Sequence, residues 1–198
     1  MSVSATDSRF SGYLKPTKSS ESIERIEEKL QDFIAGCTGL KGTLVKVAYK
    51  NDLDLPPDIR VNWCSFYISE VNERDWALES FKHESYRQSS TQSISVLCTF
   101  YGLAAWDYAS TLRDAVQIEQ NRSELFRLSG LKFMRAGNLV SVNEIAGNRW
   151  RKRVDLALNF SRIRCRDYDI KKIAAAQIVG HTEQRKEVFT AGFFNYED

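Results

Sequence analysis

The most regular pattern of hydrophobic and polar positions lies between residues 90 and 120. In its first half every second residue is apolar, at Ile94, Val96, Cys98 and Phe100. This alternation predicts a β-strand with one buried face. In its second half the apolar residues recur every three or four positions, at Ala105, Ala109, Leu112 and Val116. That spacing predicts an amphipathic helix, and Gly102, which lies where the period changes, predicts a direct passage from the strand into the helix.

Weaker patterns predict further elements on both sides of this segment. Ser20 or Ser22 is a suitable N-cap for a helix that ends near Gly36 or Gly39. Strand-like composition or alternation occurs at residues 44–49, 61–71, 131–142 (with a turn at Gly137–Asn138) and 150–164. The apolar face of the last strand comprises Trp150, Val154, Leu156, Leu158 and Phe160. We therefore expect an α+β fold with a mainly antiparallel or mixed sheet of four to five strands, two helices packed on one face, and extended arms.

The connecting segments carry less regular signals. The polar segment 70–88 contains scattered aromatic residues and predicts a hairpin arm that pairs with the strand beginning at Ser90. Residues 121–129 predict only a short helical turn. The strand 61–71 is apolar on both faces, which indicates that a second layer or a neighbouring subunit covers one of them.

The length of 198 residues suits one domain with additional arms. Residues 1–20 are rich in Ser, Thr and Lys and predict a flexible N-terminal arm. Residues 21–169 contain the periodic elements and predict a single α+β domain. Residues 170–198 mix helix-favouring and strand-favouring stretches. We expect this C-terminal extension to form a strand or a β-hairpin that contacts neighbouring subunits.

Composition excludes several classes of function. The net charge is +2, from 28 basic and 26 acidic residues, so the overall charge does not indicate general nucleic-acid binding. The four cysteines are dispersed without a CxxC pair, which predicts reduced thiols in an intracellular product. No apolar run approaches the length of a membrane span, and the first residues lack the apolar core of a signal peptide. We therefore expect an intracellular product with no membrane partner.

Candidate chemical sites are sparse in the sequence. Asp52, Asp54 and Asp58 are possible oxygen ligands for a metal. Their loop lacks the glycine and the glutamate at the spacing of a calcium loop, which favours a solvated turn. The sequence also contains no nucleophile elbow, glycine-rich phosphate loop or HExxH motif. We therefore predict no catalysis, no metal and no cofactor.

The strongest electrostatic feature is an arginine-rich strand. Arg149, Arg151 and Arg153 share one face at the period of a strand. Three interpretations remain open: a solvated or locally paired face, an interface that meets carboxylates of a neighbour, or a phosphate-binding stripe. Carboxylates suited to the second interpretation are Glu70, Glu73, Asp75 and Glu79. Trp150 is predicted on the opposite, apolar face, which argues against stacking and phosphate contacts in a single site.

Three short motifs, in this order along residues 40–168, carry a resemblance to a known family. They are Pro56–Pro57 before a strand, the group Tyr101, Gly102, Ala104 and Arg113 at the strand-to-helix passage, and Arg149–Trp150 at the start of a late strand. In these motifs the chain resembles the tail-terminator or neck-terminator proteins of tailed bacteriophages, contractile-tailed phages in particular. It differs at residues 136–148, where a proline-containing loop is expected and is not present.

This resemblance implies a virion structural protein located at the tail–neck junction. It implies a homo-oligomeric ring, a hexamer, at the head-proximal end of the tail tube, where it ends tube polymerisation. The implied partners are the tail tube protein, the neck, connector or head-completion proteins and the sheath, with genomic DNA only passing through the lumen. Two alternatives remain: a head-completion or neck joining protein, and a nucleic-acid-binding accessory protein.

Exposure and charge indicate which residues would lie at the subunit or tube interface of such a ring. The candidates are Arg149, Arg151, Arg153, Asp52, Asp54, Asp58, Trp76, Phe81, His181 and Phe194.

Overall fold

Two long strands, β5 (Ser85–Tyr101) and β7 (Arg149–Asp169), form the centre of the fold and pair antiparallel over the whole of β5. The computed structural model describes residues 14–49, 60–73, 77–82, 85–146, 148–169, 176–182 and 185–191. The remaining strands are β1 (Pro16–Ser19), β2 (Val45–Val47), β3 (Trp63–Glu73), β4 (Leu78–Lys82), β6 (Lys132–Ala146), β8 (Ala176–Thr182) and β9 (Arg185–Ala191). The helices are α1 (Ile23–Thr38), α2 (Ala105–Ala115) and α3 (Glu119–Ser129), with a 3₁₀ turn at Gly42–Leu44.

The main sheet has seven strands, of which five follow one path and two lie off it. Its path is β1-β7-β5-β3-β2, with β4 paired to β5 and β6 paired to β7. The β3 strand pairs with residues 92–101 of β5 and β4 pairs with residues 85–89, so the two short strands follow one another along the same edge. The β2–β3 pair is parallel and the other described pairs are antiparallel. Since β4 and β1 lie at the same end, the long central strands continue there as an arm.

The three helices cover one face of the sheet, and the core lies between them. Alternate residues of the strands point into it, as period-2 side-chain geometry requires. The buried strand residues include Phe66, Ile94, Val96, Phe100, Leu156, Leu158 and Phe160. The buried helix residues include Ile26, Leu30, Ile34, Ala109, Leu112 and Leu125. The predicted α+β class, with a mixed and mainly antiparallel sheet, is confirmed.

Local signals placed the first two helices correctly. Ser22 is the N-cap of α1 and accepts a hydrogen bond from the backbone N–H of Arg25 at 3.4 Å. The helix continues through Gly36 and ends at Gly39, whose φ of 75° is the left-handed conformation typical of a helix C-terminus. In α2 the predicted stripe is buried: Ala105, Ala109, Leu112 and, just after the helix, Val116.

The prediction of only a helical turn at 121–129 was wrong, because α3 is a complete third helix. Only Leu125 of this helix is buried, so the sequence shows no apolar stripe. Pairs at i and i+3 on its surface contribute to its stability, with Arg122–Glu119 at 2.5 Å and Arg127–Glu124 at 2.6 Å. Gly130 ends it in the left-handed conformation.

The predicted turn at Gly137–Asn138 was also wrong. The β6 strand runs through this position with a register shift between Ala136 and Leu139. Gly137 lies against β7, where an added Cβ would be 3.2 Å from the carbonyl oxygen of Ala157. The glycine therefore permits close approach of two strands within a bulge.

The segment predicted to pair with Ser90–Tyr101 is divided between two strands. β3 extends to Glu73 and supplies the antiparallel partner of residues 92–101, while β4 pairs only with residues 85–89. Four residues of the predicted N-terminal arm form β1, which pairs with β7 at residues 166–168. β8 and β9 form a separate two-stranded antiparallel sheet. Contact of the C-terminal extension with neighbouring subunits stays a prediction.

Candidate functional site: the open sheet face and its two ends

The sheet face opposite the helices carries exposed apolar side chains on β6 and β7. They are Val140, Val142 and Ile163. Where β3 begins and β5 ends, Trp63 stacks on Tyr101 with ring centroids 4.4 Å apart. The guanidinium carbon of Arg151 lies 4.4 Å from the centroid of the same Tyr101 ring, which is within the range of a cation–π contact.

The predicted arginines on this face are paired within the chain. Arg151 donates through Nε to Glu144 Oε1 at 2.8 Å, and Arg153 donates to both carboxylate oxygens of Asp155, at 2.9 and 2.8 Å. Glu144 also accepts from Arg153 at 3.4 Å. The hydrogen bonds to Asp155 raise the pKa of Arg153 above its usual range. Among the three interpretations of the arginine strand, local pairing therefore describes Arg151 and Arg153.

One end of the long strands forms a basic groove, which we call the edge groove. It has a volume of about 470 Å³ and is lined by Arg60, Gly102, Leu103, Asn143, Arg149, Trp150, Arg151 and Lys152. Trp150 lies on the same side of β7 as the core residues, as predicted, but its side chain is 71% exposed rather than buried. The last residue of β5, Tyr101, pairs with Arg153, so β7 continues past the end of β5. Trp150 consequently lies beyond the helix-covered core, in the same groove as the arginines.

The opposite end of the long strands forms an aromatic arm, composed of β4 and the paired ends of β5 and β7. The ring of Tyr86 lies 5.0 Å from Phe81 and 5.8 Å from Tyr168 between centroids. Phe81 is exposed. Arg87 donates to both carboxylate oxygens of Asp167, at 2.6 and 2.9 Å, which fixes the pairing of β5 with β7 near the arm.

A polar cluster connects this arm to the core. Glu73 accepts hydrogen bonds from Ser90 and, at 2.5 Å, from Arg164. The buried guanidinium of Arg162 donates through Nε to Gln92 at 2.7 Å and through Nη1 to the backbone carbonyl of Glu21 at 3.1 Å. Burial lowers the pKa of Arg162. The cluster thereby joins β3, β5, β7 and Glu21, which lies two residues before α1.

We expect Glu73→Gln to lower stability at neutral pH but not at low pH. Burial opposes ionisation of Glu73, but hydrogen bonding from Ser90 and the charge of Arg164 outweigh it and lower its pKa. A lowered folded-state pKa stabilises the protein above the unfolded carboxyl pKa of about 4.3, and the contribution is lost as pH falls through the folded value. Urea unfolding at pH 7 and pH 3 would test this. A wild-type advantage over Glu73→Gln that is unchanged at pH 3 would contradict it.

The structure brings some predicted interface residues to opposite ends of the sheet. Arg149 is exposed at the edge groove and Phe81 is exposed on the aromatic arm. The 17 residues of β5 separate these ends by about 50 Å. Lying outside the described residues are Asp52, Asp54, Asp58, Trp76 and Phe194. His181 falls in β8, and its side chain is outside the description.

Two features of the site were missed by the sequence analysis. The pairing of Glu144 with Arg151 follows from their positions opposite each other in the β6–β7 register. The sequence signal that could have predicted this pair was the alternation of residues before and after Asn148. The convergence of Trp150 with the basic residues had no local signal, because it depends on where the neighbouring strand ends.

Metal-ligating groups, helix lengths and thiols can be described for the same part of the chain. Within that part of the chain no group of three His, Cys, Asp or Glu side chains could hold a metal ion. None of its helices is long and apolar enough to cross a membrane. Cys64 and Cys98 are buried free thiols, and burial raises the pKa of the Cys37 thiol to about 11. A thiol with so high a pKa is a poor nucleophile at neutral pH.

Comparison with known proteins gives one family. The model of the phage neck terminator protein family matches residues 24–184. This range includes every strand of the seven-stranded sheet except β1, and it includes β8 but not β9 of the C-terminal hairpin. No curated protein matches the sequence.

Proposed function

Because the chain belongs to the phage neck terminator protein family, we propose that it forms a ring at the head-proximal end of the tail tube, ends tube polymerisation there and joins the tail to the neck. Membership of this family makes the chain a structural protein of the phage neck and hence of the virion. We propose the ring and its terminating action in addition.

The arrangement of exposed surfaces supports a ring. The edge groove is basic with one exposed tryptophan, whereas the aromatic arm presents Leu78 and Phe81 about 50 Å away. Two different surfaces at opposite ends of one subunit suit head-to-tail contacts, which close into a ring when the rotation between subunits allows it. We propose a homohexamer, in which neighbouring copies would also cover the strand edges that remain open.

The proposed mechanism is capping by an asymmetric ring. One face of the ring would be complementary to the last ring of tail tube protein, and the other face would lack this complementarity, so that addition of tube subunits ends. The second face would meet the neck, connector or head-completion proteins. The sheath is a further partner at the rim, and genomic DNA would pass through the lumen without a sequence-specific contact.

The candidate interface residues remain proposals with different supporting observations. Arg149 and Phe81 are exposed at the two ends of the sheet. Arg151 and Arg153 are engaged with Glu144 and Asp155, so we propose that they shape the open face and that Arg149 makes the contact. The other candidates are Asp52, Asp54, Asp58, Trp76, His181 and Phe194.

Cryo-electron microscopy of purified phage tails would test the proposed location. We expect six copies of this chain in one ring on the last tube ring, with the aromatic arm of each copy against its neighbour. Density for this chain at the distal end of the tail, or along its whole length, would contradict the proposal. A ring of another stoichiometry would correct the hexamer and leave the location intact.

A further inference from the structure

We propose that the edge groove receives an acidic, aromatic segment, residues 193–198, from a neighbouring copy of this chain. The inference rests on the proposed ring and names one of its contacts. The segment reads Phe-Phe-Asn-Tyr-Glu-Asp, and the groove offers both kinds of surface that such a segment needs.

The charge of the groove fits carboxylates. Among the described residues that line the groove, four are basic and none is acidic. Arg149 and Lys152 have exposed side chains, whereas Arg151 is already bound to Glu144. Arg149 and Lys152 are therefore the cations assigned to Glu197 and Asp198 of the neighbour. Such pairs at the rim of an interface set the specificity and rate of association more than its strength.

The apolar wall of the groove selects a peptide over duplex DNA. Leu103 is 73% exposed and Trp150 is 71% exposed, and both line the groove beside the cations. A duplex presents phosphates outside and keeps its bases stacked inside, so it would leave Leu103 uncovered. An aromatic segment covers both side chains, and aromatic anchors in a pocket carry much of the energy of an interface. The volume of about 470 Å³ is that of a small recognition site.

The position of the segment in the chain also suits a neighbour. It follows β9, which ends at Ala191 and belongs to the separate β8–β9 sheet. Exchange of a terminal segment from each copy to the next is a head-to-tail contact of the kind that closes a ring.

The test uses a fluorescent peptide of residues 190–198 and the full chain carrying Glu197→Lys and Asp198→Lys, which leaves the groove accessible. Fluorescence anisotropy should show saturable binding. Adding Arg149→Glu and Lys152→Glu should weaken it at least tenfold, about 1.4 kcal/mol or more. The matched control is Lys132→Glu with Arg135→Glu, two exposed basic residues at the far part of β6, which should change the affinity less than twofold.

Three results would overturn the inference. They are no saturation below about 1 mM peptide, equal loss in the groove and control variants, or tighter binding of a DNA duplex of matched concentration that the groove variant abolishes. Circular dichroism of each variant establishes that it is folded. Because the assay contains no tail or tube, its failure leaves the proposed location at the neck unaffected.

Discussion

Gly102→Ala is expected to destabilise the protein by at least about 3 kcal/mol. Gly102 has a φ of +106°, a conformation that side chains with a Cβ rarely adopt. An added Cβ would also lie against Asn62 Oδ1 and 2.9 Å from the carbonyl oxygen of Val61. Asn62 Oδ1 accepts the backbone N–H of Ala104 at 3.0 Å, so displacing Asn62 also removes a hydrogen bond at the start of α2.

Two other glycines separate these causes. Gly130 has a φ of +69° but open space around it, so Gly130→Ala should cost only about 1 kcal/mol. Gly36 lies inside α1 with open space, and Gly36→Ala should stabilise by about 0.5–1 kcal/mol. Urea unfolding of the three variants measures the order. A Gly102→Ala cost no larger than that of Gly130→Ala would contradict the close approach of Asn62.

Leu158→Ala is expected to cost about 2–5 kcal/mol. The Leu158 side chain is 1% exposed and lies among the helix-facing residues of β7. Truncating it removes apolar burial and leaves a cavity at the centre of the sheet, where the backbone of a doubly paired strand has little freedom to close it. The free energy of unfolding, from urea titration with an unchanged slope, measures the effect.

The matched control is Ile163→Ala on the opposite face of the same strand. Ile163 is 67% exposed, so its truncation should cost less than about 1 kcal/mol. If the two substitutions cost the same, the assignment of a covered and an open face to the sheet would be wrong. The open face supplies much of the surface proposed for assembly, and the comparison therefore bears on function as well as on stability.

Local periodicity explains which parts of the fold were predictable. The β5–α2 passage was predicted because its buried residues follow a strict period of 2 and then of 3.6, with Gly102 between them. The α3 helix was missed because surface ion pairs and the Gly130 cap, rather than an apolar stripe, define it. The β6 bulge was mistaken for a turn, because a glycine is typical both of turns and of positions where two strands approach closely. Gly137 is of the second kind.

The candidate site was less predictable because its contacts join residues distant in sequence. The period of 2 placed Arg151 and Arg153 correctly on one face. That Glu144 is their partner follows from the β6–β7 register, which the sequence pattern does not give. The same period placed Trp150 with the core residues, and the position is on that side of the strand. The sequence does not reveal that β5 ends opposite Arg153. Trp150 therefore lies beyond the end of β5 and outside the helix-covered core.

The central claim is that this chain ends tail tube polymerisation. The most direct measurement is the distribution of tail lengths, by electron microscopy, in lysates of the phage that encodes it after inactivation of this gene. The account predicts filled heads beside headless tails of abnormal length, with normal virions restored by a plasmid copy. Headless tails of normal length would contradict termination and assign a joining role, and intact virions of normal length would contradict a role at the neck altogether.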